Sequence, residues 1–187
     1  MRHVAEIHRT TMEPTKLELL AEWLPRQPWW AGGDRVPALA TAGGFRLDDP
    51  DGAVGMEFVV VTDGSGGEPV TYFVPLSYRD APLAGAETGL IGTSEHGVLG
   101  RRFVYDGAAD PLVLAALRDF VAGRVVAQDQ DISNTTDPTV VVTGRPGEEV
   151  ELVRVLGGEP PASAGRVEAG WVSSDGTAVR GAVALVR

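Results

Sequence analysis

The sequence predicts an α+β fold, with an antiparallel sheet, helices packed on one face of it, and a small, mostly β lobe behind. Three observations predict it. Alternating or continuous apolar runs, broken by Gly, Pro, Asn and Asp, recur along most of the chain. Only two segments carry helix start and stop signals. The links between the expected strands are short, which favours antiparallel pairing.

The first helix is expected at Thr15-Lys-Leu-Glu18, which has capping-box spacing. Leu17, Leu20 and Leu24 form its apolar stripe, and Pro25 ends it because proline has no N–H to continue the ladder. The second opens on Asp110-Pro111, an N-cap followed by proline at the first helical position. It buries Val113, Leu117, Phe120 and Val121 and stops at Gly123. Strands are expected near 2–9, 35–47, 54–62, 69–78, 99–105, 138–143, 149–156, 166–173 and 178–186. Asp63–Gly67 reads as a hairpin loop and Ser174-Asp175-Gly176 as a tighter one. The polar run Gln128–Thr136 divides the chain into an expected helix-containing unit, 1–130, and a β-rich unit, 131–187.

Of the 187 residues, 43% are hydrophobic and 22% charged, the balance of a chain that buries a core. There is no cysteine, so disulfides, thiolate zinc sites and a thiol nucleophile are excluded. The net charge of −10 opposes binding to nucleic acid or anionic lipid. Lys16 is the sole lysine; the other fifteen basic residues are arginine. The N-terminus lacks the apolar core of a signal peptide, and no stretch approaches a membrane span. A soluble, cytoplasmic protein is the expectation. His3 and His8 fall on opposite sides of the expected first strand, and the three histidines show no metal-ligand spacing.

Four segments carry a family resemblance: Leu24-Pro-Arg-Gln-Pro-Trp-Trp-Ala-Gly32, Phe45-Arg-Leu-Asp-Asp-Pro50, Pro75-Leu-Ser-Tyr-Arg79, and Leu90 through Gly107. Over about residues 15–125 the chain resembles the N-terminal cap of actinobacterial maltokinases. Arg154–Glu159 is similar to the start of the small β lobe that follows this cap, the beginning of a kinase-like N-lobe. Those enzymes phosphorylate maltose with ATP, and their catalytic aspartates lie in a helical lobe further on. No such lobe lies within residues 1–187, so the resemblance implies a fold rather than the activity.

Two departures bear on nucleotide binding. Where the kinases place small polar residues facing the ATP phosphates, this chain has Pro160-Pro161, which offer no backbone N–H. Where they place the phosphate-binding lysine, the matching stretch Val183–Arg187 has Ala184. The resemblance therefore implies no cofactor and no enzyme activity without a partner chain.

Several residues could still carry recognition. Trp29 and Trp30, beside Arg35, could form a saccharide platform or a partner hot spot; otherwise one ring anchors the loop and the other stays partly exposed. Pro28 and Gly33 stand where the family is usually basic, which argues against an anion there. Glu95 and His96 could form an acid–base pair, or His96 could cap the turn before the next strand. His96-Gly97-Val98 lacks the aspartate of a kinase catalytic loop. Arg101 and Arg102 leave opposite faces of their strand, and one of them is expected to pair with Glu57, which alternates into an apolar strand. The expected function is a non-catalytic interaction or ligand-binding module of maltose, trehalose or glycogen metabolism. The alternatives are half of a split sugar kinase acting with a separate catalytic chain, and a saccharide-binding protein. Expected partners are a sugar-metabolising enzyme or kinase catalytic chain, or a saccharide, and neither nucleic acid nor membrane.

Overall fold

The computed structural model describes residues 11–145, 147 and 149–187; the expected strand at 2–9, with His3 and His8, lies outside them. In chain order the elements are β1 (Met12–Glu13), α1 (Lys16–Trp23), β2 (Leu39–Leu47), β3 (Gly55–Asp63), β4 (Val70–Arg79), β5 (Leu90–His96), β6 (Gly100–Asp106), α2 (Pro111–Val121), β7 (Gln128–Asp129), β8 (Val141–Gly144), β9 (Val150–Leu152), β10 (Gly165–Val172) and β11 (Ala178–Val186). They form a seven-stranded sheet, ordered β1-β5-β6-β4-β3-β2-β7, and a four-stranded sheet, ordered β8-β10-β11-β9. The α+β class with a small β lobe is as expected.

The helices begin where their caps say. The Thr15 hydroxyl accepts the Glu18 amide, and Glu18 accepts the Thr15 amide at 2.7 Å, which closes the capping box of α1. Asp110 accepts the Leu112 amide at 3.0 Å, with Pro111 at the first position of α2. Gly123 follows α2 at φ 71°, the left-handed conformation that ends helices.

The helices lie on opposite faces of the large sheet, not on one. Leu19, Leu20, Trp23 and Leu24 pack against Val59, Val61, Val74 and Leu76. Val113, Leu117 and Phe120 pack on the other side, against Phe45, Phe58, Val60 and Phe73. Successive strand side chains alternate faces, so the unbroken run Phe58-Val-Val-Val61 is the signature of a strand buried on both. Phe45 stacks on Phe58 with centroids 4.7 Å apart.

The second sheet shares the α2 face. Val167, Ala169, Trp171, Val183, Ala184 and Val186 join the same core as Phe45 and Phe58. Between β9 and β10 of that sheet the chain turns back to the large one, through a segment read from sequence as the end of one long strand, 149–156. Instead β9 stops at Leu152. Val155 bridges to Tyr72, the Phe73 amide donates to Arg154 O at 3.0 Å, and the Leu156 amide to Thr71 O at 2.8 Å. This segment occupies the half of β4 that β6, paired only to Leu76–Arg79, leaves open.

Candidate functional site

Both tryptophans of the 24–35 loop are partly buried, rather than one buried and one partly exposed. Trp30 stacks on the buried Tyr72 at 5.4 Å, and its Nε1 donates to Gly33 O at 2.9 Å. Gly32 sits against the indole so closely that a Cβ there would fall 1.8 Å from it. Trp29 meets Trp23 edge-on at 5.7 Å and carries the Arg154 guanidinium 5.1 Å from its centroid. The Tyr72 hydroxyl accepts the Ala31 amide at 3.1 Å. The loop is thus fastened to β4 by its own rings. Arg35 stays exposed, its guanidinium over Gly66 of the β3–β4 loop.

Glu95, His96 and Arg101 sit on the β5–β6 hairpin. Arg101 donates to Glu95 at 2.6 Å in an exposed pair, a kind worth about 0–1 kcal/mol. His96 Nδ1 accepts the Val98 and Leu99 amides at 3.3 and 3.0 Å and so caps the turn. The two groups of candidates are not brought together. The tryptophans pack at Tyr72, near the start of β4, whereas Arg101 lies beyond Arg79↔Phe103 at its far end. At about 3.3 Å per residue the gap exceeds roughly 20 Å.

Glu57 pairs with neither Arg101 nor Arg102. Leu76 stands opposite it on β4, which separates it from β6. Its partners are Lys16 Nζ at 2.5 Å, Tyr78 Oη at 2.7 Å and Gln130 Nε2 at 2.8 Å. Burial works against the Glu57 carboxylate, but the Lys16 charge and the three donors outweigh it and hold its pKa below the usual value. Burial, with Glu57 beside it, pushes the Tyr78 phenol well up. Arg102 donates to Leu99 O within its own hairpin. Asp63, read as part of a loop, is buried and accepts the Ala38 amide and both the amide and hydroxyl of Ser65.

Among the described residues, two further ion pairs are largely shielded from solvent. Asp110 receives Arg79 Nε and Nη2, each at 2.8 Å, and the Ser77 hydroxyl at 2.5 Å. Asp106 receives Arg154 Nη2 at 2.8 and 2.6 Å, so the arginine that lies on Trp29 also ties the second lobe to β6. The clue to the Glu57 network is Lys16 itself: a cation in the first turn opposes the helix dipole unless it is recruited elsewhere.

Residues 23–110 match the family model of the maltokinase N-terminal cap domain, which supports the resemblance seen in the sequence. No curated protein matches the chain. A cap domain by itself is not the catalytic part of a maltokinase. Ala184, at the place of the lysine that the resemblance calls for, is 0% exposed and packed in the core between the sheets. Among the described residues there is no helix long and apolar enough to cross a membrane.

Proposed function

We propose that this chain is a non-catalytic, cap-like module of maltose, trehalose or glycogen metabolism that works in the cytoplasm beside a sugar-metabolising enzyme. In this reading residues 1–130 are the cap and 131–187 a degenerate β lobe. The cap match over 23–110 supports it. The observation that carries it is Ala184. A lysine there would have to end in the inter-sheet core rather than at a nucleotide, because Val167 and Val186 pack beside it. The exposed Arg35 and the Glu95–Arg101 pair, with His96 at its turn, give two separate surfaces for a partner, and the Trp29–Trp30 packing keeps the first in shape.

A second reading, the N-terminal half of a split sugar kinase, is favoured by the Arg154 link. It joins the two sheets into one body that could dock as a unit on a catalytic chain. Affinity purification of the tagged chain from its native host separates the two. A stoichiometric sugar-metabolising enzyme without a kinase lobe is the expected result. A stoichiometric kinase catalytic chain would favour the split kinase, and recovery of the chain alone would contradict both.

A further inference from the structure

A cleft of about 510 Å³ lies between the margin of β2 and the β10–β11 hairpin, within the roughly 300–1,000 Å³ of small-molecule sites. Its floor is bare backbone. β2 bulges between Thr41 and Gly43, and Gly43 and Gly44 take φ values of 157° and 148°. A Cβ on Gly43 would lie 3.1 Å from Gly170 O, and one on Gly44 2.5 Å from Phe58 O. β7 covers β2 only at Phe45 and Arg46, so the backbone of residues 42–44 fronts the cleft.

The walls mix donors and acceptors. Asp131 and Arg180 stand exposed at the rim. Gln130 is fixed by the bond from its amide nitrogen to Glu57, which leaves its amide oxygen as an acceptor. Asp129 is held by the Asp131 and Ile132 amides at 2.8 and 2.9 Å, and Arg180 is tethered to Thr139 O. Trp171 lines the cleft but is only 6% exposed, so its ring offers no open face for stacking.

We propose that this cleft binds a neutral polyhydroxylated ligand of the saccharide class. A hydroxyl group both donates and accepts, so vicinal hydroxyls satisfy the Asp131 carboxylate, the Gln130 carbonyl and the Arg180 guanidinium together. An anionic ligand meets two carboxylates and a chain of net charge −10. A cationic one meets Arg180 along with those carboxylates and finds no open aromatic face to hold it. The inference deepens the reading above by giving the module a ligand, but it stands on the lining rather than on any partner.

The test is an amide-resolved NMR titration of the intact chain with maltose, and with glucose 6-phosphate as the anionic counterpart. Maltose is expected to shift Gly43, Gly44, Gly170 and Asp131 with a Kd of about 1 mM. Asp131→Ala and Arg180→Ala, both at exposed positions, are each expected to weaken binding about fivefold or more, with the remaining spectrum unchanged. Shifts that are absent, that fall outside the cleft, that persist undiminished in both variants, or that are stronger with the phosphosugar overturn the proposal. If the native partner is captured yet maltose leaves the cleft unshifted, this proposal fails and the reading of the module stands. If the cleft responds and no partner is found, the reverse holds.

Discussion

Asp110→Ala is expected to lower the stability of the chain by about 3–5 kcal/mol. Three losses coincide. The substitution strands the Arg79 guanidinium, which makes two 2.8 Å bonds to a side chain that is itself 0% exposed. It leaves the buried Ser77 hydroxyl without its acceptor, and it removes the cap from α2. The effect depends on pH in a fixed direction. Burial raises the Asp110 pKa, but Arg79, Ser77 and the Leu112 amide overcome this, so its folded value lies below the unfolded one. The contribution is therefore present above the ordinary aspartate range of about 3.9 and lost as pH falls through the lower folded value. Urea midpoints of wild type and variant should stand far apart at neutral pH and converge in acid. A gap that stays constant down to about pH 2 would contradict the assignment.

Glu57→Ala is expected to cost about 3 kcal/mol, because it leaves Lys16, Tyr78 and Gln130 facing an empty acceptor position in a mostly buried site. The control is Asp34→Ala, an exposed position where the change should stay within about 0.5 kcal/mol. Asp63 does not serve as such a control, since it is 2% exposed and fastens Ala38 and Ser65. Glu57 also titrates below its ordinary value, so its contribution disappears in acid as that of Asp110 does. Equal urea midpoints for Glu57→Ala and Asp34→Ala would show that the network contributes nothing.

Local chemistry made much of the fold legible. Thr15, Asp110 and Gly123 mark helix ends by bonds made within a few residues, and β11 at 178–186 coincides with its apolar run. β5 was not foreseen. Its bulge between Leu90 and Gly92 breaks the alternation, leaving Ile91 and Ser94 buried at a spacing that no period-two pattern gives. Residues 154–156 read as strand, yet pair with β4 rather than continue β9, because the open half of β4 exists only in the assembled sheet. Long-range partners were the least legible. Glu57 lies 41 residues from Lys16 and 73 from Gln130, and nothing near it in sequence names either. The position of Trp29 and Trp30 in a loop is legible from Pro25, Pro28 and the Gly pair around them, but their fastening to Tyr72 depends on the register of β4. Gly43-Gly44 read as part of a continuous strand, so the cleft they floor was not anticipated.

In the function proposed above the chain has no nucleotide chemistry of its own, with Pro160-Pro161 and the buried Ala184 at the places where the family resemblance puts phosphate contacts. Calorimetric titration of the purified chain with Mg-ATP, followed by an assay of phosphoryl transfer to maltose, tests it most directly. No saturable binding at about 1 mM nucleotide and no transfer are expected. Saturable binding in the micromolar range, or phosphorylated maltose formed by the chain alone, would contradict it.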